Sequence, residues 1–169
     1  MTSQFEEDRV LSDLLDEIGD GSKIVADIGA RLEFSNSANL IESRGYYAVL
    51  VDMDPAACEQ LRRLFPEQKV IQQKATIDNV NDFVPADAHV VSIDVDSYDW
   101  WLWAVLEAKP KVVVIEVNSD TGYWVAPYHH NRKDPRGWGA SVEAMNLLAR
   151  LKGYRFHYRT MANAIYVHE

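Results

Sequence analysis

Four groups of residues in this chain have types and spacings that can do chemistry. Two are acids that close short apolar runs. Lys23-Ile-Val-Ala-Asp-Ile-Gly-Ala30 carries Asp27 just before Gly29, and Tyr47-Ala-Val-Leu-Val-Asp-Met-Asp-Pro55 closes its run on Asp52. A strand, a glycine turn, a helix and a second strand ending in a carboxylate is how an α/β sheet holds an adenosine-containing ligand. The glycine lets the ligand approach the backbone, and the second carboxylate accepts both ribose hydroxyls. The third group is a set of hard oxygen ligands. Asp94, Asp96 and Asp99 follow one apolar run, while Glu116 and Asn118 stand at the end of another. Asp94, Asp96, Glu116 and Asn118 together can hold Mg2+; the plainer reading leaves most of them solvated or capping a helix. The fourth group is His129-His130, flanked by Asn131, Arg132 and Lys133. A neutral imidazole there can deprotonate a hydroxyl, though paired histidines are also ordinary polar loop residues.

These residues need a scaffold, and the apolar periodicity supplies one. Phe5, Leu11, Leu14, Leu15 and Ile18 recur at helical spacing until Gly19 and Gly21, so residues 1–22 predict an N-terminal helix. Residues 24–28 predict the first strand, 35–43 a helix stopped by Gly45, and 47–51 the second strand. Asp54-Pro55 reads as N-cap and first residue of a helix through Leu64. Val70-Ile71 is a short third strand, 89–93 a fourth, and 100–108 a helix. Residues 111–116 are a nearly continuous Val/Ile run, as in a strand buried on both faces. Residues 119–139 have no period and are rich in aromatics, histidine and proline. Ser141 starts a final helix that ends at Gly153. Residues 154–159 and 164–168 alternate like a closing antiparallel hairpin. Strands alternating with helices, then two strands together, predict a Rossmann-like, doubly wound α/β fold. Its seven-stranded sheet is mostly parallel with one reversed strand.

Composition narrows the partners. A length of 169 residues predicts one domain, and 47% apolar with 25% charged residues is an ordinary globular balance. A net charge of -9 argues against a nucleic-acid backbone or an anionic membrane surface and suits a cationic ligand. A single cysteine, Cys58, allows no internal disulfide, so the cytoplasm is the simplest compartment. The N-terminal residues have no signal-peptide pattern, and no apolar run is long enough to span a bilayer.

Three segments together resemble the class I S-adenosylmethionine-dependent methyltransferases, and within them the FkbM type. They are Asp27-Ile-Gly-Ala30 followed by Ser35-Asn-Ser37, Ser92-Ile-Asp-Val-Asp96, and Val114-Ile-Glu-Val-Asn118. The resemblance runs from about Lys23 to the C-terminus. It implies S-adenosyl-L-methionine as cofactor, with Asp27 and Gly29 beside its methionine portion, Asp52 on the ribose and Met53 against the adenine. Ala75 and Thr76 would recognise the adenine edge, and Asp94 would face the sulfonium end. Metal-dependent O-methyltransferases are similar in placing acids after the fourth and fifth strands. The implied reaction is methylation of a small-molecule acceptor, such as a sugar or secondary-metabolite hydroxyl, with Asp94 or His129 handling the proton.

Five tryptophans between Trp100 and Trp138 crowd the same region. An aromatic substrate pocket, plain core packing and a homodimer interface all fit that concentration. Two other functional readings stay open. A nicotinamide-dependent oxidoreductase would also use Asp52, but G-x-G-x-x-G is absent, since Ala30-Arg-Leu-Glu-Phe34 follows Gly29. A ligand-binding protein without chemistry fits that lone glycine as well.

Overall fold

The structure is a computed structural model that describes residues 7–31, 36–118, 122–128 and 139–169. The elements run α1 (Glu7–Ile18), β1 (Ile24–Ile28), α2 (Ala38–Arg44), β2 (Tyr47–Asp52), α3 (Pro55–Leu64), β3 (Lys69–Gln72) and α4 (Val80–Phe83). They continue β4 (Val90–Ile93), α5 (Asp99–Val105), β5 (Val112–Glu116), α6 (Val142–Leu151), β6 (Tyr154–Arg159) and β7 (Asn163–His168). One seven-stranded sheet has the order β3-β2-β1-β4-β5-β7-β6. β1 through β5 are mutually parallel, and β7 is antiparallel to both of its neighbours. The reversed strand is therefore one place in from the edge rather than at it.

Alternation along each strand divides the core into two layers. Ala26, Ile28, Val49, Val51, Val91, Ile93, Val113 and Ile115 face Phe83 of α4, Leu102 and Trp103 of α5 and Met145 of α6. Val25, Ala48, Leu50, Val90, Val112 and Val114 face Leu11, Leu14 and Leu15 of α1, Leu40 of α2 and Leu61 of α3. Each such side chain adds roughly 1.5–3 kcal/mol by leaving water. The sheet is covered on both faces, which explains why β4 and β5 read as unbroken apolar runs.

Local chemistry sets the ends. Asp54 accepts a hydrogen bond from the Ala56 N–H at 2.9 Å and Pro55 takes the first helical position of α3. Gly45 ends α2 in the left-handed conformation, φ 69°. α2 begins at Ala38, later than its periodicity predicts, because the Ser37 hydroxyl donates to Asp27 at 2.6 Å instead of capping the helix. α5 stops at Val105, short of the expected Ala108. α4 is one turn long, too short for a period to show. The buried Glu7 of α1 accepts from Thr160 Oγ1 at 2.6 Å and Asn163 Nδ2 at 3.1 Å, tying the first helix to the β6–β7 turn.

At the middle of the sheet, the carboxyl ends of the paired parallel strands β1 and β4 lie side by side. Gly29 has φ +92°, and a Cβ there would lie 1.7 Å from the Asp94 carbonyl oxygen. The glycine is demanded by a neighbouring strand's backbone, and not only by room for a ligand. Gly29→Ala should lose about 2–5 kcal/mol from backbone strain plus the clash. Gly45→Ala, with open space at its Cβ position, should lose about 1–2 kcal/mol from strain alone. Urea denaturation of the two variants measures the difference; equal losses would mean the Gly29–Asp94 contact relaxes freely.

Candidate functional site

The strand order reverses between β1 and β4, which opens a crevice at the carboxyl ends of the parallel strands. A cavity of about 590 Å3 lies there, within the size range of small-ligand sites. Its lining follows the order of the strands. Gln73, Lys74 and Ala75 come from the end of β3, Asp52 and Met53 from β2, Gly29 and Arg31 from β1. Asp94 to Tyr98 come from β4, Glu116 from β5, and Ala162 from the β6–β7 turn.

Asp52 is nearly buried, and its two oxygens do different work. Oδ1 accepts from the Asp54 N–H at 2.6 Å, and Oδ2 lies 3.5 Å from Arg31 Nε. Asp54 caps α3, so Asp52 is left to face the cavity. Met53, 61% exposed, forms the rim beside it. The Gly29 and Ala30 N–H groups both donate to the Val51 carbonyl, at 2.8 and 3.0 Å. The first loop therefore has no free amides at these positions for a pyrophosphate.

The far end is a crowd of carboxyls. Asp94, Asp96 and Glu116 can bring one oxygen each within 4.8 Å of one another. Asp99 lies behind them, fully buried. It accepts from the Val95 N–H at 2.8 Å and the Ser97 N–H at 3.1 Å, and so fixes the β4–α5 loop. That loop holds Asp96 at φ 57° and Ser97 at φ 143°, conformations that side-chain-bearing residues rarely adopt. Burial pushes the Asp94 carboxyl up to about 7, with Asp99, Asp96 and Asp27 adding to it and Arg31 opposing. Burial raises Glu116 as well, with the charges of Asp99, Asp94 and Asp96 and its hydrogen-bonding contact with Asp99 adding to it. Burial also raises Asp99, against the pull of the two amides it accepts from. Glu116 Oε2 is buried with no hydrogen-bond partner among the described residues. The residues present thus fit either a divalent cation or a cationic ligand group, because a positive charge would relieve all three acids.

An aromatic wall stands next to the acids. Tyr98 lines the cavity, with Tyr128 at 5.3 Å and Lys74 Nζ at 5.3 Å from its ring centroid. Trp101 packs 6.2 Å from Tyr128 and donates its indole N–H to the Ala126 carbonyl at 2.8 Å. Trp103 is wholly core. Among the described residues no tryptophan lines the cavity: Trp101 backs the Tyr98–Tyr128 pair and Trp103 is core packing.

Seven of the sequence-predicted residues meet in this one cavity: Gly29, Asp52, Met53, Ala75, Asp94, Asp96 and Glu116. Three others are not among its described lining. Asp27 is buried and accepts from Ser37. Thr76 gives its N–H to Asn79 Oδ1 at 2.7 Å in the turn before α4. Asn118 is bridged to Ser141, with its N–H on the Ala140 carbonyl at 2.7 Å. His129 falls outside the described residues. Arg31, Gln73, Lys74 and Tyr98 line the cavity without having been expected there. Arg31 is the one of these that the sequence flags, as a cation directly after the glycine turn.

No known family profile matches the chain, and no curated protein matches it in sequence. Solved structures do match. A sugar N-methyltransferase from Streptoalloteichus sp. aligns with TM-score 0.62 at 14% identity, over 96% of this chain and 87% of that one. The Burkholderia thailandensis 1,6-didemethyltoxoflavin-N1-methyltransferase, bound to its substrate and S-adenosylhomocysteine, aligns with TM-score 0.60 at 13% identity, over 96% and 77%. An O-methyltransferase from neocarzinostatin biosynthesis, bound to S-adenosyl-L-homocysteine and 1,4-dihydroxy-2-naphthoic acid, aligns with TM-score 0.54 at 17% identity, over 96% and 57%. The likeness establishes the Rossmann-like methyltransferase fold, with its antiparallel pair after β5. No helix among the described residues is long and apolar enough to cross a membrane.

The raised Asp94 carboxyl has a measurable consequence. The folded state keeps that proton up to about pH 7, whereas the unfolded chain releases it near 4. Stability should therefore fall as pH rises from 4 to 7, by up to about 1.4 kcal/mol per unit for one group. Asp94→Asn should remove this part of the slope. Urea midpoints of both proteins at pH 5, 6, 7 and 8 check it, and parallel curves would contradict it.

Proposed function

We propose that this protein is an S-adenosylmethionine-dependent methyltransferase of the FkbM type that methylates a small molecule, on a hydroxyl of a sugar or secondary metabolite. The observation that carries the reading is Asp52. It stands at the end of β2, with Oδ2 turned to a cavity that holds four carboxyls and two cations in its described lining. Such a surface suits a ligand with ribose hydroxyls and positive charge, and it repels a pyrophosphate. The occupied amides of Gly29 and Ala30 point the same way, which disfavours the nicotinamide reading.

In this reading, Asp52 accepts from the ribose hydroxyls while Met53 and Ala75 flank the adenine, with Thr76 and Asp27 supporting the two ends from behind. Gly29 lies under the methionine portion. The cofactor supplies a methyl group activated on sulfonium. Asp94 faces that positive charge and takes the proton that the acceptor hydroxyl gives up, a task for which a carboxyl near neutrality is suited. His129 is the alternative base. Alignment does most of the rest, since the leaving group is already good. Tyr98 and Tyr128 form the apolar wall for the acceptor.

A second reading adds Mg2+, supported by the partnerless Glu116 Oε2 and the spacing of Asp94, Asp96 and Glu116. These three would hold the ion, with Asn118 nearby in sequence, and the ion would supply charge for an acceptor oxygen.

Calorimetry with S-adenosylmethionine, S-adenosylhomocysteine and NAD, with and without Mg2+, tests both. The methionine-derived ligands should bind and NAD should not; the opposite result sinks the proposal. Asp52→Asn keeps an acceptor for the Asp54 N–H but loses the charge. It should weaken S-adenosylhomocysteine roughly 10- to 100-fold while leaving the urea midpoint nearly unchanged. If Mg2+ belongs to the site, Asp96→Asn should abolish a Mg2+-dependent gain in turnover that the parent protein shows. A parent indifferent to chelator removes the metal.

A further inference from the structure

The cavity has an unmet need that the proposed ligand exposes. An α-amino-acid end brings a carboxylate as well as an ammonium group. The acids from β4 and β5 serve the ammonium and repel the carboxylate. Backbone donors at the first loop would be the ordinary answer, but those of Gly29 and Ala30 are already on the Val51 carbonyl. A side-chain cation is suited to the task, and two line the cavity among the described residues. Lys74 comes from the β3 side and sits over the Tyr98 ring. Arg31 comes from the end of β1, midway between the nucleoside end at β2 and β3 and the acids of β4 and β5.

Arg31 is loosely held. Among the described residues it makes a single ion pair, to Asp52, 3.5 Å long, against about 2.7–2.9 Å for a good charge-assisted bond. Half of its side chain is exposed. A guanidinium presents five N–H donors in a fork that fits a carboxylate bidentately, and most of that capacity is unused here. The oxygen it approaches, Asp52 Oδ2, is the one the ribose hydroxyls require. A ligand that takes Oδ2 displaces Arg31 and at the same time offers it a better acceptor.

We propose that Arg31 is the carboxylate-binding residue for the amino-acid end of the ligand, exchanging Asp52 for the ligand's carboxylate as the nucleoside settles on Asp52. This rests on the methyltransferase reading of the cavity and deepens it. It gives an arginine the work that the Gly29 and Ala30 amides do not do here, and it makes ribose capture and carboxylate capture a single exchange.

The test compares two ligands that differ only in the carboxylate: S-adenosylhomocysteine and its decarboxylated analogue, S-adenosyl-3-thiopropylamine. Calorimetry on the parent protein should show a preference for the carboxylated ligand of roughly 10- to 100-fold. Arg31→Ala should bind the two ligands alike, and Arg31→Lys should recover part of the preference. The decarboxylated ligand should bind Arg31→Ala as well as it binds the parent, or slightly better, because Asp52 is released. Urea midpoints of the free variants should match the parent, since the side chain is half exposed. A preference unchanged in Arg31→Ala overturns the assignment, as does equal weakening of both ligands. A parent protein that binds neither ligand overturns the cofactor reading itself, and Arg31 with it.

Discussion

The contact between the Gly29 backbone and the Asp94 carbonyl is the constraint on which the site depends. Parallel strands that diverge on either side of a switch point normally leave a crevice, and here its floor is closed by backbone against backbone. The residues that follow β1 and β4 both line the cavity, Arg31 after the first and Asp94 to Tyr98 after the second. The β4 loop then has to turn through left-handed residues at Asp96 and Ser97, and Asp99 supplies the hydrogen bonds that hold that turn. A cost in backbone strain of roughly 1–3 kcal/mol per residue is thus offset by a buried acid whose own charge is unfavourable. The site is built from compensating penalties.

Electrostatics gives the arrangement its direction. Four carboxyls face or back one cavity end, and their mutual repulsion with burial raises Asp94, Asp99 and Glu116 together. An ensemble of acids in this state binds protons when nothing else is present. It binds a cation or a cationic group more tightly than any single acid would, since one positive charge relieves several repulsions. The end of the cavity at β2 and β3 has no such excess, because Asp52 is partly balanced by Arg31 and by the Asp54 amide. The cavity is therefore graded along its length.

Much of this was legible in the sequence, for physical reasons. Doubly covered β4 and β5 must be apolar at every position, so they stood out as unbroken Val/Ile runs. Asp54-Pro55 announced α3, because capping chemistry is local. Asp52 and the acids after β4 and β5 were readable as site residues because a strand's carboxyl end is where parallel sheets place ligands. What failed to show depends on distance in sequence. The bond that Asp27 accepts from Ser37, ten positions on, gave no sign in the pattern. The purpose of Gly29 lay in Asp94, and the rank of the reversed strand lay in the pairing of β5 with β7. Tyr98 and Arg31 lie far apart in the chain, and only the strand order brings them into one cavity.

The insertion of β7 between β5 and β6 has a consequence for how the chain comes together. β7 follows both of its partners in sequence, so during synthesis β5 waits with an open edge while α6 and β6 are made. Glu7 waits too, for its two partners sit at Thr160 and Asn163. An open edge on a Val/Ile strand is a template for another chain. The nascent protein is thus most exposed to misassembly at the stage when four of its six strand pairings are already available, and one late strand closes both the sheet edge and the clasp on the first helix.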